Sequence, residues 1–166
     1  MSLERVDPNA KRGPLYRVLV AFTATRLSMW ISRTFLWRLD PPIMRLTRGR
    51  VRLAGPVRTA LLETTGAKTG QPRANAVIYF HDGDTPVIVA SRLGDPRHPG
   101  WFHNVVAHPD IRFGGEPYRA EVVTDEAERE RLWALADRVF WPYANYRERA
   151  ARAGRTIPVI RLRPAP

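Results

Sequence analysis

A small β-barrel with peripheral helices is the fold class that the sequence predicts. From residue 57 onward, short apolar stretches recur and each ends at Gly, Pro or Asp, which is typical of strands joined by tight turns. Helical patterns appear only late among six such stretches, and this order favours a barrel over alternating strands and helices. The chain has 166 residues, of which 44% are hydrophobic, and this suits one domain with a packed core.

Six strands and three helices are predicted in this part of the chain. The strands cover residues 57–64, 74–81, 86–90, 111–113, 118–123 and 157–162. The helices cover residues 100–107, 125–139 and 143–153. The fourth and fifth strands form a hairpin around Gly114-Gly115. Asp125, with Glu128 three residues later, predicts a capping box at the start of the second helix.

The N-terminal third has a different pattern. Residues 1–14 are polar and contain two prolines, which predicts a loose tail. Residues 15–39 follow a helical pattern that ends at the Asp-Pro-Pro sequence of residues 40–42. We therefore divide the chain into a basic N-terminal tail and amphipathic helical segment over residues 1–56 and a barrel domain over residues 57–166.

Positive charge is concentrated in the N-terminal segment. The formal net charge is +11, and residues 1–60 contain 12 Lys or Arg against three acidic residues. Such asymmetry indicates an anionic surface as partner. Aromatic residues and arginines mix along the predicted helix as in helices at a membrane interface, and we find no base-stacking motif that would favour nucleic acid. Packing of this helix on the barrel, with its arginines in solvent, is the alternative.

Several kinds of site are excluded by what the sequence lacks. There is no cysteine, which excludes disulfides, thiolate metal sites and cysteine nucleophiles. The four histidines have no metal-ligand spacing, and no nucleophile elbow is present. The arginines of the predicted helix leave no uncharged run long enough to cross a bilayer. Without a signal peptide, a cytoplasmic protein is expected, peripheral at the inner face of the plasma membrane if the helix binds lipid.

The first candidate ligand-binding element runs from Gly66 to Arg73. Its glycines permit positive φ and allow backbone N–H groups to converge on an anion. Lys68 stands out, because 25 of the 27 cationic residues are arginine. The segment is not a P-loop, since Ala67 separates Gly66 from Lys68 and a strand follows. An ordinary hairpin connection is the alternative interpretation.

A second cationic element, at residues 90–99, lies between a predicted strand and a predicted helix. Arg92 and Arg97, together with the N–H groups at the helix start, are suited to a phosphate or a carboxylate. Two such elements around one hairpin indicate a ligand with several negative charges.

Two pairs of residues, Trp101 with Asn104 and Tyr143 with Tyr146, could either line a pocket or pack in the core. Trp101 and Asn104 share one face of the predicted helix at 100–107. Tyr143 and Tyr146 belong to an aromatic-dense segment between two predicted helices. The residues alone do not separate the two roles.

Several short motifs occur in a fixed order between residues 60 and 164. They are Thr64-Thr65-Gly66-x-Lys68-Thr69-Gly70-x-x-Arg73, Val89-Ala90-Ser91, His98-Pro99-x-Trp101-x-His103-Asn104, Tyr143-x-x-Tyr146 and Ile157-Pro158-Val159. As an ordered set they resemble the deazaflavin (F420)-dependent nitroreductase and quinone reductase family of actinobacteria. A long N-terminal helix also belongs to that family, and in some members it associates with the membrane.

The resemblance implies a split β-barrel of the FMN-binding type plus an N-terminal helix, with coenzyme F420, an 8-hydroxy-5-deazaflavin, in a groove. The coenzyme-binding residues that it implies are Lys68, Thr69, Gly70, Arg73, Ala76, Ala90, Ser91, Arg92, Trp101 and Asn104. It also implies that Tyr143 and Tyr146 face the acceptor as catalytic residues, with a phenol or solvent supplying a proton. The implied reaction is hydride transfer from reduced F420 to a quinone or nitroaromatic acceptor, with no metal.

Four positions depart from the family pattern. Ala67 stands where Arg is common, Arg92 where Lys is common, Leu93 where Gly is usual, and Phe102 where Tyr is usual. The Trp141-Pro142-Tyr143 segment is also one residue shorter than usual, which leaves the identity of the acceptor open. Two alternatives keep the same barrel: an FMN-binding reductase, which would be yellow, and a non-catalytic deazaflavin-binding protein, which would reduce no acceptor. The oligomeric state is left open.

Overall fold

A computed structural model describes residues 3–23, 25 and 57–165 of the chain. In this part, six antiparallel strands close a barrel in the order β1–β2–β3–β6–β5–β4. The strands are β1 Thr59–Thr65, β2 Pro72–Asp82, β3 Thr85–Val89, β4 Asp110–Phe113, β5 Glu116–Val122 and β6 Val159–Pro164. The helices are α1 Pro14–Thr23, α2 Gly100–Ala107, α3 Glu126–Val139 and α4 Tyr143–Arg152. The predicted barrel with peripheral helices is confirmed.

The main differences from the predicted elements lie at strand ends. β2 begins at Pro72 rather than at residue 74, because Pro72 and Arg73 pair with the last residues of β1. β6 begins two residues later than predicted, at Val159, and extends to Pro164 because its last residues pair with β5. The prediction of α2 at residues 100–107 is confirmed to the residue.

Apolar side chains that alternate along the strands fill the barrel. Leu62 of β1, Ile88 of β3 and Phe113 of β4 are completely buried, as are Ile160 and Leu162 of β6. Each strand thus presents one face to a shared core and the other to solvent or to a helix, as the period of two along a strand requires.

The prediction of a loose N-terminal tail is wrong for the described residues from position 3 onward. The backbone N–H of Val6 donates to Nδ1 of His81 at 3.1 Å, and the His81 N–H donates to the Val6 carbonyl at 2.9 Å. The hydroxyl of Tyr79 donates to the carbonyl of Glu4 at 2.8 Å. Proline and polar residues do not prevent such pairing, and Val6 also contributes a buried side chain to the core.

Only part of the predicted N-terminal helix is described. α1 covers Pro14–Thr23, with proline at its first position where the missing N–H costs no helical hydrogen bond. Residues 26–39 of the predicted helix lie outside the described residues, so their helical structure and the boundary at residue 56 stay predictions. Among the described residues, no helix is long and apolar enough to cross a bilayer.

A network of ion pairs fixes α3 to the barrel. Arg161 of β6 is buried and donates to Asp82 and to Glu128, each at 2.6 Å. Arg131 of α3 makes a bidentate pair with the same Asp82 carboxylate. Asp125 accepts from the Glu128 N–H at 2.7 Å and so caps α3 as predicted, while the Glu128 carboxylate pairs with Arg161.

Replacement of Asp82 tests this network. Hydrogen bonds from Arg131 and Arg161 lower the pKa of Asp82 to about 2. Asp82→Asn should therefore cost about 1–2 kcal/mol of unfolding free energy at about pH 7, after allowance for the exposure of Arg131. Because the folded pKa lies below the unfolded value of about 3.9, this contribution is present above about pH 4 and is lost as the pH falls toward about 2.

Urea unfolding of the wild type and Asp82→Asn at several pH values measures the effect. The matched control is Asp84→Asn, since the Asp84 side chain is 95% exposed and pairs only with exposed Arg5. An equal gap between wild type and Asp82→Asn at neutral and acidic pH would contradict the assignment.

Candidate functional site

The two cationic elements leave the barrel at the same end. β1 and β3 are both antiparallel to β2, so they run in the same direction. The turn after β1, residues 66–71, and the connection after β3, residues 90–99, therefore project from one end of the barrel. We call them the first loop and the second loop.

The first loop presents charge and backbone donors to solvent. Gly66 donates to the Gln71 carbonyl and Gly70 donates to the Gly66 carbonyl, both at 2.8 Å, and Gly70 has a φ of 65°. Lys68 and Thr69 between them are exposed. In the described part of the chain, no acceptor is hydrogen-bonded to the N–H of Lys68 or Thr69, and no carboxylate pairs with the side chain of Lys68 or Arg73.

Asn104 joins the first loop to α2. Its Oδ1 accepts from the N–H of Ala67 at 3.0 Å, and its Nδ2 donates to the hydroxyl of Thr64 at 3.1 Å. Because α2 directly follows the second loop, this one side chain connects the two cationic elements. The predicted role of Asn104 in binding the coenzyme stays a prediction.

The backbone of the second loop forms a concavity of the kind that binds anions. Ser91 is right-handed, with φ −70° and ψ −44°, whereas Arg92 and Leu93 are left-handed, with φ of 46° and 55°. A right-handed residue followed by a left-handed one turns successive N–H groups toward a common point. The next residue, Gly94, is required by packing, since a Cβ there would lie 2.6 Å from the carbonyl oxygen of Tyr146.

The cationic side chains of the second loop are less free than those of the first. Arg92 donates to the carbonyl of His98 at 2.9 Å and lies 3.8 Å from the carboxylate of Asp95. Its side chain is nevertheless 45% exposed, so it retains a face toward solvent. Arg97 is exposed, and its N–H donates to Asp95 at 3.0 Å.

Arg155, which the sequence reasoning missed, supports the second loop from inside. It lies between α4 and β6, and its guanidinium donates to the carbonyls of Ala90, Ser91 and Asp95 and to Nδ1 of His98. Among 25 arginines the one signal for this residue was its position two residues before the Ile157-Pro158-Val159 motif.

The remaining predicted coenzyme-binding residues lie on the elements that carry the two loops. Ala76 is half-buried on β2 opposite Leu61, and Ala90 is completely buried at the end of β3. Trp101 is buried in the first turn of α2. These positions support the loops rather than expose further polar groups.

Tyr143 and Tyr146 lie in an aromatic cluster. They pack edge-on against each other, Tyr143 also packs edge-on against Phe140 and Trp133, and Tyr146 contacts Phe140 at a tilted angle. Their exposed fractions are 2% and 4%. Burial raises the pKa of both phenols, to about 12 for Tyr146. Their predicted catalytic role stays a prediction, because both are enclosed in this conformation.

Two clefts lie away from this end of the barrel. A cleft of about 330 Å³ is lined by the N-terminal tail, Arg58 and Val139, and one of about 390 Å³ by the tail, the β2–β3 turn and α3. Most of their charged groups are engaged: Arg58 pairs with Glu4 at 2.7 Å, and Arg12 donates to several carbonyls. Among the described residues, Lys68 and Arg73 beside the first loop have no carboxylate partner and so remain available for an anion. The described residues contain no group of three potential metal ligands.

The chemistry of the two loops suits a polyanionic ligand. Exposed cations, free N–H groups and the concavity at Ser91–Arg92 provide several anion contacts at one end of the barrel. The described side chains there offer no paired carboxylates and no nucleophile with a base. Such an arrangement binds and orients a ligand that brings its own reactivity.

Known proteins that are similar to this chain depend on a ligand of this kind, as their names state. The family model for F420H2-dependent quinone reductases matches residues 37–164. An F420H2-dependent quinone reductase of Mycobacterium tuberculosis is 40% identical over 151 residues, which is 82% of this chain and 97% of the relative.

Solved structures extend the similarity to the fold. One described as an F420-H2 dependent reductase has a TM-score of 0.54 and 35% identity, covering 63% of this chain and 92% of that one. Another, described as a domain-swapped dimer, has a TM-score of 0.57 and 31% identity, covering 73% and 93%.

The connection through Asn104 can be tested directly. Asn104→Ala removes the acceptor of the Ala67 N–H, and a net loss of about 1 kcal/mol should speed hydrogen exchange of that amide about fivefold. NMR measures the hydrogen-exchange rate of each backbone amide separately. Val106→Ala, at an exposed position on the same helix, is the control and should leave the Ala67 rate unchanged. Equal Ala67 rates in wild type and Asn104→Ala would exclude the proposed connection.

Proposed function

Because this chain belongs to the F420H2-dependent quinone reductase family, we propose that it transfers a hydride from reduced coenzyme F420 to a quinone acceptor. The observation that carries the proposal is the convergence of the two cationic loops at one barrel end, linked through Asn104. F420 has a phosphate and a polyglutamate tail, so its anions match the exposed donors of these loops. When bound, the coenzyme supplies the hydride from its deazaflavin ring.

The residues divide into two roles toward the coenzyme. Lys68, Arg73 and the free N–H groups of the first loop hold the charged tail. The concavity at Ser91 and Arg92 contributes further backbone donors, and its left-handed conformation is kept even though Leu93 stands where the family usually has Gly. Ala76, Ala90 and Trp101 provide the packed surface on which the loops rest.

Solvent is the better-supported proton source for the reduced acceptor. A buried phenol with a raised pKa is a weaker acid than a free one, and neither Tyr143 nor Tyr146 reaches solvent in this conformation. Both tyrosines instead pack behind the second loop, where the Tyr146 backbone contacts Gly94. We assign them the support of that loop, and a phenylalanine at either position should retain most of the hydride transfer.

The basic experiment mixes the purified protein with reduced F420 and menadione. The return of the visible absorbance of oxidised F420 supports the proposal, and a nitroaromatic acceptor in parallel tests the breadth of the site. Absence of both turnover and coenzyme-dependent fluorescence quenching would end it. Tight F420 binding without reduction of any acceptor would favour a binding protein, and a yellow protein with bound FMN would favour the other cofactor.

Removal of the first loop's lysine provides a sharper test. Lys68→Ala should weaken F420 binding about tenfold at low ionic strength, and the loss should shrink as salt screens the contact. Fluorescence quenching titrations at two salt concentrations measure this. Lys11→Ala is the matched control, since Lys11 is the only other lysine and lies exposed in the tail. Equal losses in the two variants would count against the assignment.

We further propose that α1 rests on an anionic membrane surface, where a lipid-soluble quinone would be met. Leu15, Val18, Leu19 and Phe22 recur at helical spacing and are between 43% and 70% exposed. Lys11, shortly before the helix, and Arg17, on another face of it, are exposed cations. An exposed apolar stripe on a helix that also has exposed cations is a pattern of helices that bind at the bilayer interface.

Replacing Leu15 and Phe22, at the two ends of the apolar stripe, tests whether α1 contacts a membrane surface. Leu15→Ser combined with Phe22→Ser should reduce co-sedimentation with anionic phospholipid vesicles at least about tenfold, because both apolar side chains lose their burial in lipid. Val122→Ser removes an exposed apolar side chain from the barrel and should sediment like wild type. Unchanged sedimentation of the double variant would refute the membrane contact.

A further inference from the structure

Arg155 is an unusual cation because it is buried and its hydrogen-bond acceptors lie on one loop. The residue is 7% exposed. Its Nη1 donates to the carbonyls of Ser91 at 3.1 Å and Asp95 at 2.5 Å, its Nη2 donates to the carbonyl of Ala90, and its Nε donates to Nδ1 of His98 at 3.1 Å. These four partners are 57 to 65 residues away in the sequence, so the contacts are formed by the tertiary fold.

The contacts bracket the part of the second loop with unfavourable backbone angles. Arg92 and Leu93 are left-handed, a conformation that costs roughly 1–2 kcal/mol for each L-residue. Ala90 and Ser91 precede this pair, while Asp95 and His98 follow it. A single rigid guanidinium therefore holds both ends of the strained segment, which no other side chain could do with the same set of parallel donors.

We propose that Arg155 is a positioning residue for coenzyme binding: its guanidinium, with neutral His98 as one acceptor, holds the second loop in the anion-binding conformation. This inference rests on the proposed function. Arg155 does not itself contact the coenzyme, because it is 7% exposed and four of its five N–H groups already donate to the loop. Its effect on affinity acts through the backbone N–H groups that follow Ser91.

The acceptor role of His98 gives the arrangement a pH dependence. Arg155 is protonated throughout the accessible range, so Nδ1 of His98 can accept its hydrogen bond only when that nitrogen is unprotonated. The groups facing the imidazole are Arg155 itself and the rings of Phe102 and His103 on α2, while Arg92 donates to the backbone carbonyl of His98. Burial, with Arg155 and His103, lowers the pKa of His98, which keeps the bond intact at neutral pH.

The direction in which F420 affinity changes with pH distinguishes the positioning role from simple charge attraction. The bond is present above the folded pKa of His98 and lost as the pH falls through it. Affinity for F420 should therefore decrease between about pH 7 and about pH 5. Simple charge attraction predicts the opposite, because a protonated His98 adds a positive charge beside an anionic ligand.

The experiment uses the full chain and two kinds of readout. Amide hydrogen exchange of the second loop is measured without coenzyme, and F420 affinity is measured by fluorescence quenching at several pH values. Arg155→Met should raise exchange at the amides of Gly94 and Asp95, which donate to the carbonyls of Ser91 and Arg92, at least about tenfold and weaken F420 binding at least about tenfold, while exchange in β1 and β2 stays unchanged. Arg155→Lys should recover part of both. Arg152→Met, at an exposed position of α4, is the matched control and should behave like wild type.

The His98→Gln variant provides a further test, which does not depend on the stability of the Arg155 variants. Glutamine offers an acceptor that does not titrate, so the fall in affinity at acidic pH should flatten. If the wild type binds F420 and Arg155→Met keeps wild-type loop exchange and affinity, the positioning role is wrong and the proposed function stands. Where Arg155→Met does not fold, Arg155→Lys is used for the same comparison. An affinity for F420 that rises on acidification in both wild type and His98→Gln also overturns the positioning role. If wild type fails to bind F420, the proposed function falls, and the role in coenzyme binding falls with it.

Discussion

The closed antiparallel barrel is the constraint on which the candidate site depends. Because β1 and β3 both pair with β2, the barrel places the loops that follow them at one end, although 24 residues separate Lys68 from Arg92 in the sequence. β6 closes the barrel against β3 and brings Arg155 to the same end. The strands thus supply the geometry, and the loops supply the charge.

The two loops reach their conformations in different ways. The first is a glycine turn whose strain is absorbed by Gly70 and whose position is fixed from α2 through Asn104. The second keeps two left-handed residues that are not glycine, and the structure compensates with the buried guanidinium of Arg155 and the close packing of Gly94 on Tyr146. Strain held in this way around a binding loop is a recurrent feature of functional sites.

Much of this arrangement could be predicted from the sequence. Turn residues and apolar periodicity located all six strands, and α2 was predicted to the residue, because such signals are local. The glycines and prolines around Lys68 and Arg92 predicted two loops that flank one hairpin, and the barrel places both loops at the same end. The ordered motifs then identified the family, which the comparisons with known proteins confirmed.

What the sequence could not provide arises from long-range contacts. Arg155 is one of 25 arginines, and only the fold shows that it lies beneath the second loop. The tail from Glu4 to Val6 pairs with β2 through a histidine ring nitrogen, a contact without a sequence pattern. Tyr143 and Tyr146 were ambiguous between core and pocket because aromatic residues serve both, and only the fold shows that both are buried.

We propose that the end of the barrel carrying both cationic loops receives the anionic part of the coenzyme. An NMR titration of the isotope-labelled chain with oxidised F420 locates the bound coenzyme. The largest amide shift changes are expected at residues 66–71 and 91–93. Changes concentrated instead around Arg5, Arg12 and Arg58, with both loops unaffected, would contradict it.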